Sequence, residues 1–406
     1  MDVLVVADGH YYQVPDGDVY ADSVYDYNFY KRYLQAFDHV YAVVRVKHVD
    51  APPAGKRLSS GPGVTFLLLP DYHGPYQYIK KYLQILKKVR SYSKMCECGI
   101  FRIPSATANI FCKYFLRLKK PFAVEVVTDP WENFGPRAEG NRLMLNIVRH
   151  SWTNLVREMC KKADGASYVT SRYLQGKYPP KYSKSPNASF ASSYSSVELQ
   201  DDKFASPRLW DGNQKKYIVS HVANYFSDYG KGHIVLIDAI KIVLDRGYDV
   251  EVWFVGDGPK REEFEKYAEK LGIKSKVKFL GRCACGDDVR QIMRSTDIFV
   301  LPTYAEGLPR ALLEAMAESL PCLSSPVCGI PEIIEDDFLC DFDDAEGFAA
   351  KIEHFISNPT LMTQQGNRNL EVAKTFGAGV LNLRRKEFYM QLRSLVENQK
   401  FAKDVR

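Results

Sequence analysis

The chain has 406 residues, of which 46% are hydrophobic and 26% are charged, a composition typical of a folded protein rather than of a disordered chain. The 55 basic and 49 acidic side chains give a net charge of +6, an excess too small to indicate binding to nucleic acid. Residues 1–206 carry 28 basic and 19 acidic side chains, whereas residues 207–406 carry 27 and 30. The length and this asymmetry favour two domains with different functions.

Apolar stretches in the chain are too short for a membrane span, which needs about 18 uninterrupted residues. The acidic N-terminus leads directly into strand-like sequence, without the basic start and apolar middle of a secretory signal, and this predicts a cytoplasmic protein. The nine cysteines include the pairs Cys96/Cys98 and Cys283/Cys285, whose spacing is not typical of zinc sites. We therefore expect reduced, structural thiols.

Strand-length apolar runs alternate with amphipathic stretches along the first half of the chain. Strands are predicted at 2–7, 39–46, 64–70, 98–103, 122–127 and 165–170, and helices near 25–37, 77–91, 105–118, 141–162 and 171–177. A long loop rich in Gly, Asp and Tyr, residues 6–23, is predicted after the first strand. The polar segment 206–217 is predicted to be a linker.

The second half repeats this alternation. Strands are predicted at 216–223, 250–256, 276–281, 297–302 and 320–325, and helices at 233–247, 259–272 and 309–320. Strands joined through helices pair in parallel, so we predict an α/β fold of two tandem Rossmann-like, doubly wound domains, residues 1–206 and 207–377, facing an interdomain cleft. The last helix, 378–406, follows a complete second domain and is expected to cross back to the first.

The segment 301–334 carries the clearest chemical signal. Glu306 lies in a loop just past a predicted strand, where its carboxylate can reach a sugar, and Glu314 lies one turn into the next helix, where it can accept both hydroxyls of a ribose. The start of this helix, with free backbone N–H groups and a favourable dipole, is suited to a phosphate. The residues that form this start are Gly307, Leu308, Pro309 and Arg310.

This E-x7-E pattern within EGLPRALLEAMA, followed by GIPE, resembles the family 4 retaining glycosyltransferases of the GT-B fold. The alternative is a pair of solvated helix acids. The resemblance implies that Lys231, in the motif GKG, is the cation that binds the diphosphate of the donor. Members commonly carry a second cation, an arginine, where this chain has Tyr225, and Arg310 or Arg282 are the candidates to replace it.

Two further segments resemble donor-binding parts of that family. FVGDGP, with Gly256 and Gly258, resembles its glycine turn, and FLGRC, with Arg282 and Cys283, matches the segment that holds the nucleotide base. The glycines alone would also suit a fragment of a dinucleotide-binding fingerprint. The third glycine of that fingerprint is missing, so we do not expect hydride transfer.

In the first domain, position along the chain places His10 and Gly17 of the 6–23 loop in the cleft, where the family has a glycine-rich loop. The alternative for His10 is simple exposure. Asp129, in VTDPWENFGP, is expected to orient the acceptor or bind a donor hydroxyl, and Trp131 to offer a stacking face for a sugar. Core packing is the alternative for Trp131.

The resemblance implies a retaining glycosyltransferase that moves a hexose-type unit from a UDP- or GDP-linked sugar to a glycan or lipid-linked acceptor, in surface polysaccharide assembly. Glu306, Lys231 and Asp129 are the catalytic candidates. None of the motifs described above resembles the Asp-x-Asp metal clamp of other glycosyltransferases, so we expect no essential metal and no cofactor. The alternatives are a non-catalytic glycan- or nucleotide-binding protein, or a nucleotide-sugar epimerase or phosphorylase on the same fold.

Residues 77–94 carry six basic and no acidic side chains. Ile79, Leu83 and Val89 fall on one face of the predicted helix and the lysines gather on another, a pattern that suits docking on anionic lipid. The alternative is an ordinary surface helix that packs on its own sheet. A peripheral position on the inner face of the membrane therefore stays open.

Overall fold

The computed structural model describes residues 1–135, 140–181, 190–195, 197, 199–283 and 286–404. Two α/β units follow one another along the chain, each built on its own sheet. The strands of the first unit are β1 Asp2–Gln13, β2 Val19–Ala21, β3 His39–His48, β4 Arg57–Leu58, β5 Val64–Pro70, β6 Cys98–Ile103, β7 Phe122–Val126, β8 Gly165–Tyr168 and β9 Phe190–Ser193. Its helices are α1 Tyr27–Lys31, α2 Gly74–Tyr92, α3 Ala106–Leu118, α4 Pro130–Asn133, α5 Arg142–Lys162 and α6 Tyr173–Lys177.

The second unit has five strands, and its helices continue to the C-terminal region. The strands are β10 Tyr217–Tyr225, β11 Val250–Asp257, β12 Val277–Gly281, β13 Ile298–Leu301 and β14 Cys322–Ser324. The helices are α7 His233–Asp245, α8 Arg261–Lys270, α9 Gly286–Arg294, α10 Arg310–Ala317, α11 Ala345–Ile356, α12 Pro359–Lys374 and α13 Ala378–Asp404.

Parallel pairing forms the body of both sheets. In the first, the order β5-β3-β1-β6-β7-β8-β9 is parallel throughout, and β2 and β4 add antiparallel pairs to the end of β1. In the second, the parallel order is β12-β11-β10-β13-β14. The central strands are buried along their whole length, as β6 and β7 show, which explains their near-continuous apolar sequence.

The order of strands reverses once in each sheet. The chain builds outward from β1 through β3 to β5 before it returns to β6, and it builds from β10 through β11 to β12 before it returns to β13. At such a reversal the loops after two neighbouring strands diverge and leave a crevice, which is where ligands of doubly wound folds bind. The β10/β13 boundary therefore marks the expected site in the second unit.

Helix α13 packs on the first unit although it follows the second. Its Leu381, Phe388 and Leu392 are buried in one apolar cluster with residues of β1 and β3. The hydroxyl of Tyr389 donates to Oε1 of Glu125 at 2.8 Å, in the middle of the first sheet. The C-terminal part of the chain thus completes one face of the first unit.

The predicted linker, residues 206–217, is not a loose connection. Trp210 is buried, its backbone N–H donates to Oγ1 of Thr363 at 3.0 Å, and its indole N–H donates to Asp297 at 3.4 Å. The apolar surface of Trp210 explains why this segment packs on the second unit instead of staying solvated.

The long loop predicted at residues 6–23 is wrong. Strand β1 continues to Gln13, the chain turns at Gly17, and β2 pairs back on β1 with Gln13 opposite Val19. A loop was predicted because this part of β1 contains polar residues. The strand tolerates them because only part of each of its faces is buried here. The helix predicted at 25–37 is also shorter, because α1 ends at Lys31 and a 3-10 turn covers 32–35.

Within the described residues, no helix combines the length and the apolar character that a bilayer crossing requires. Seven cysteines are buried free thiols: Cys96, Cys98, Cys112, Cys160, Cys322, Cys328 and Cys340. Burial raises the pKa of Cys340 to about 11, and the pKa values of the other six are raised in the same direction, so these thiols stay protonated and inert near neutral pH.

Candidate active site

Two loops meet at the β10/β13 boundary. One follows β10 and contains Gly230 and Lys231, and the other follows β13 and contains Tyr304 and Glu306. The backbone N–H of Tyr304 donates to the carbonyl oxygen of Gly230 at 2.9 Å, which fixes the loops to each other. The sequence motifs GKG and E-x7-E, 75 residues apart, therefore lie at one place.

Lys231 and Glu306 form an ion pair between Nζ and Oε1. Their side chains are 34% and 21% exposed, so both groups remain accessible to a ligand. Gly232, at φ +66°, is the N-cap residue of α7 and directly follows Lys231, and a Cβ at this position would overlap the carbonyl oxygen of Pro302. Only glycine fits this conformation and this close approach. Glycine at position 232 therefore allows the two loops to meet and places Lys231 beside Glu306.

Helix α10 begins at the same crevice. Pro309 precedes the helix as its N-cap residue, one position earlier than the first turn predicted for it, and Arg310 is the first helical residue. Leu308 and Pro309 are buried while Arg310 is exposed. The first N–H groups of α10 have no partner within the helix, and the helix dipole adds partial positive charge. This end of α10 can accept an anion.

Gly307 brings the same loop against the first unit. A Cβ at Gly307 would lie 2.5 Å from the carbonyl oxygen of Val127, at the carboxyl end of β7. The second unit thus touches the strand ends of the first at the position of the E-x7-E loop. A ligand held at α10 is consequently presented to the carboxyl edge of the first sheet.

Glu314 lies on α10, one turn from Arg310, whose Nη2 is 3.9 Å from its carboxylate. Burial raises the pKa of Glu314, and the positive charge of Arg310 opposes that shift. A partly buried carboxylate gains most from new hydrogen bonds to its charged form. The two hydroxyls of a ribose would supply such bonds.

Arg282 approaches the position where a second cation is expected. Its guanidinium carbon lies 5.0 Å from the ring centre of Tyr225, and the Tyr225 side chain is half exposed. Arg282 follows the end of β12 and Tyr225 ends β10, so the contact spans the carboxyl ends of strands on both sides of β11. Cys283 is partly buried beside Arg282, and Cys285 lies outside the described residues.

Gly256 and Gly258 allow β11 and β10 to approach each other at their ends. A Cβ at Gly256, which has φ +132°, would overlap the carbonyl oxygen of Ala223, and a Cβ at Gly258 would lie 2.6 Å from the backbone nitrogen of Phe226. Both glycines therefore shape the loop that carries Lys231. The structure gives them this packing role at the site.

Asp129 does not have the exposure that its predicted role in substrate binding requires. Its carboxylate is fully buried and accepts hydrogen bonds from the backbone N–H of Trp131 at 2.9 Å and from the hydroxyls of Tyr173 and Tyr178. Lys177 adds an ion pair at 2.6 Å. These donors saturate the carboxylate, so Asp129 acts here as the helix cap of α4 and as a structural anion.

The other three predicted cleft residues of the first unit are placed as follows. The ring of Trp131 carries the guanidinium of Arg149 at 3.8 Å from its centre, so one stacking face is already covered. His10 lies on β1 rather than in a loop, and Gly17, at φ +97°, forms the exposed turn between β1 and β2. The glycine-rich cleft loop expected around His10 and Gly17 is therefore not formed, because β1 occupies this segment.

Glu332, in the motif GIPE, joins the two units and was not singled out in the sequence. Its carboxylate accepts hydrogen bonds from the backbone N–H groups of Ser171, Arg172 and Tyr173 at 2.6, 2.9 and 2.6 Å. These N–H groups stand at the start of α6 in the first unit. The motif GIPE was visible in the sequence. The role of Glu332 could not be predicted from it, because that role depends on where the fold places α6.

Two doubly wound units, with a cation, a carboxylate and a helix start at the facing crevice, define the GT-B class of glycosyltransferases. Residues 203–372 match the family described as glycosyl transferases group 1. The matched residues include Lys231, Glu306 and Glu314 of the second unit. The alternatives of a nucleotide-sugar epimerase or a non-catalytic binding protein find no support in the comparisons.

Known relatives agree with this assignment. The chain is 28% identical to protein CapJ of Staphylococcus aureus over 355 residues, which cover 86% of each chain. It is 33% identical to the lipopolysaccharide core biosynthesis glycosyltransferase LpsE of Rhizobium meliloti over 144 residues, or 35% of this chain and 40% of LpsE.

Solved structures share the fold at low sequence identity. Sucrose-phosphate synthase of Thermosynechococcus elongatus superposes with a TM-score of 0.66 at 14% identity, over 97% of this chain and 100% of that chain. Anabaena HepE in complex with UDP gives 0.64 at 15% identity, over 95% and 99%. S. aureus TarM gives 0.56 at 15% identity over 75% of this chain, which spans 58% of the length of TarM.

Proposed function

We propose that the chain is a retaining, metal-independent enzyme of glycosyltransferase family 4 that transfers a sugar from a UDP- or GDP-linked donor to a glycan or lipid-linked acceptor. The observation that carries the proposal is the Lys231–Glu306 pair at the β10/β13 crevice, beside the start of α10. The UDP bound in HepE and the role of LpsE in lipopolysaccharide core biosynthesis support the donor class and surface polysaccharide assembly.

The donor diphosphate would lie between the Lys231 ammonium and the first N–H groups of α10, with the ribose at Glu314. Glu306 would then exchange its ion pair with Lys231 for a hydrogen bond to the donor sugar. Arg282 is our candidate for the second cation, since it lies over Tyr225 with its guanidinium toward the ends of β10 and β11. Arg310 is the weaker candidate because Glu314 lies 3.9 Å from it.

In the reaction, the acceptor hydroxyl attacks the anomeric carbon on the face from which the nucleoside diphosphate departs. The bond from that carbon to the diphosphate oxygen breaks, and the departing oxygen takes the acceptor proton. Lys231 and the N–H groups of α10 stabilise the negative charge that develops on the diphosphate. The contact of Gly307 with Val127 brings donor and acceptor units together, which supplies orientation.

Turnover of a panel of UDP- and GDP-sugars by Lys231→Met, Glu306→Gln and Lys241→Met tests this proposal. Lys241 is the matched control, since it lies on α7 and forms an ion pair with Asp245 of the same helix. Loss of one charge-stabilising group at a reacting centre costs about 10²–10³ in rate, so we expect that loss for Lys231→Met and none for Lys241→Met.

A wild-type chain without turnover on any donor would favour the non-catalytic alternative, and full activity of Lys231→Met would refute the assigned cation. Loss of activity with a chelator would contradict metal independence, and inversion at the anomeric carbon of the product would contradict retention. A thermal shift with UDP and GDP identifies the base, because a bound nucleotide raises the melting temperature according to its affinity.

Only part of helix α2 is available for a contact with an anionic membrane. Val89 is buried against its own sheet and Lys88 donates to the carbonyl oxygen of Leu68 at 2.6 Å, as in an ordinary surface helix. Ile79 and Leu83 are 73% and 77% exposed. Two of the three apolar residues named on this face, Ile79 and Leu83, are thus left for a partner such as lipid.

Pelleting with anionic and neutral vesicles tests this contact. We expect Ile79→Ser with Leu83→Ser to reduce binding to anionic vesicles, whereas Leu209→Ser does not. Leu209 is a suitable control because it is 83% exposed and lies on the second unit. Equal partitioning of the wild type into both vesicle types would refute the proposal.

A further inference from the structure

Two histidines and an aspartate from three different elements converge on the first unit. His10 lies on β1, Asp71 directly follows β5, and His73 precedes α2. Nδ1 of His10 is 2.9 Å from Oδ1 of Asp71, and Nε2 of His73 is 3.3 Å from Oδ2 of the same carboxylate. The two imidazole rings are parallel, with centres 4.1 Å apart.

This trio is the one group of potential metal ligands found among the residues that the structure describes. One ligand atom from each residue lies within 4.8 Å of those from the other two. In a tetrahedral zinc site, bonds of about 2.0–2.2 Å place ligand atoms roughly 3.3 Å apart. Both Asp71–His distances are already near that value, and the His73 side chain is 64% exposed and can turn.

Two nearby cations donate hydrogen bonds to main-chain oxygens of the same segment. Nη1 of Arg45 donates to the carbonyl oxygen of Tyr72 at 3.0 Å, and Nζ of Lys81 donates to the carbonyl oxygen of Asp71. The two carboxylate oxygens of Asp71 each face one imidazole, Oδ1 that of His10 and Oδ2 that of His73.

An ordinary surface ion pair would need one histidine for this carboxylate. Here two imidazoles, stacked with ring centres 4.1 Å apart, both face one carboxylate. Two imidazole nitrogens and one carboxylate oxygen form a nitrogen-rich donor set. Such a set suits Zn²⁺ and similar divalent first-row metal ions, whereas Mg²⁺ and Ca²⁺ prefer oxygen ligands alone.

We propose that His10, Asp71 and His73 bind a divalent ion of the Zn²⁺ class through two imidazole nitrogens and one carboxylate oxygen, with the fourth position open to water or an oxyanion. The site lies at the carboxyl ends of β1 and β5. It is separate from the Lys231–Glu306 crevice and does not depend on the proposed transfer reaction. Arg45, Lys81 and the start of α2 place positive charge nearby, so the affinity is lower than that of a structural zinc site.

Titration of the tag-free full-length chain with Co²⁺, followed by visible absorption, tests the site. We expect the visible spectrum of tetrahedral Co²⁺, saturating at one ion per chain and without a thiolate charge-transfer band. Addition of Zn²⁺ should displace the bound Co²⁺ and abolish this spectrum. His73→Ala and Asp71→Asn should lower the Co²⁺ affinity at least about tenfold, since each removes one of three protein ligands. His48→Ala is the control, because His48 is an exposed histidine at the end of β3.

Three outcomes would overturn the proposal: no saturable spectrum, a spectrum with a thiolate band that assigns the ion to a cysteine, or unchanged affinity in His73→Ala. Melting temperatures of the variants show whether each still folds. His73 is largely exposed and its side chain does not cap α2, so His73→Ala should keep the wild-type melting temperature. Because the readout is metal binding, failure here leaves the assignment of the transfer site unaffected.

Discussion

Replacing Gly232 by alanine tests whether the contact between two loops holds Lys231 beside Glu306. Gly232 and Gly247 lie at the two ends of α7, both with positive φ, +66° and +92°. A Cβ at Gly247 has nothing within 4 Å, whereas a Cβ at Gly232 would overlap the carbonyl oxygen of Pro302 and lie 2.6 Å from the Cβ of that proline. The pair separates the cost of backbone conformation from the cost of the collision.

Alanine in a left-handed conformation costs about 1–2 kcal/mol, and this is the whole expected loss for Gly247→Ala. Gly232→Ala adds an overpacking cost of about 1–3 kcal/mol, because the collision is with main chain rather than with a flexible side chain. In a unit of this size each kcal/mol lowers the melting temperature by about 2–4 °C. Gly232→Ala should therefore melt several degrees below Gly247→Ala.

The two variants should differ more in turnover than in stability. If the β10 and β13 loops are forced apart, Lys231 moves relative to Glu306, and a displacement of about 1 Å at a reacting centre costs about 10²-fold in rate. Donor turnover below the melting temperature of both variants measures this effect. Equal stability losses and wild-type turnover for Gly232→Ala would refute the reasoning.

Three other perturbations have defined outcomes. Asp129→Ala should lower the free energy of unfolding in urea by about 3–5 kcal/mol, because it removes a buried, fully bonded anion; unchanged stability with lost turnover would restore a catalytic role. Burial lowers the pKa of His221 to about 4, whereas unfolded histidine titrates near 6.5. The neutral imidazole is favoured in the folded chain, so about 3 kcal/mol of stability is present above pH 6.5 and is lost as the pH falls to 4. Urea titrations across this range should show a smaller pH dependence in His221→Asn and an unchanged one in the exposed control His354→Asn. Glu332→Ala should raise the radius of gyration in X-ray scattering and the donor KM, whereas Glu335→Ala, in the same segment, should change neither; identical scattering would show that Glu332 does not hold the units together.

The buried strands and long amphipathic helices could be predicted because the spacing of their apolar residues and their amino-acid composition indicate the same type of element. Strands β5 and β6 have the predicted ends, and α3 differs from its prediction by one residue. Lys231 and Glu306 could be predicted as one site because both follow parallel strands that flank the reversal of strand order. The doubly wound topology brings such loops together whatever their separation along the chain.

Features that depend on long-range partners could not be predicted. In the 6–23 segment β1 continues as a strand paired with β3 and β2 although its sequence is rich in polar residues, and a local pattern cannot distinguish such a strand from a loop. Asp129 has the residue type and position of a substrate ligand. Its burial follows from Tyr173, Lys177 and Tyr178, more than forty residues away, and no local signal connects them.

The return of α13 to the first unit has a consequence for synthesis on the ribosome. Tyr389 and its partner Glu125 are 264 residues apart, so the N-terminal unit cannot cover the second face of its sheet until nearly the whole chain has emerged. Until α13 is synthesised, Val3, Val5 and the charge of Glu125 are not yet covered by it. By then the second unit, which lies between the first unit and α13 along the chain, is already complete. The half of the chain that is made first is therefore finished last, and the nascent N-terminal unit is the part that most needs protection from aggregation.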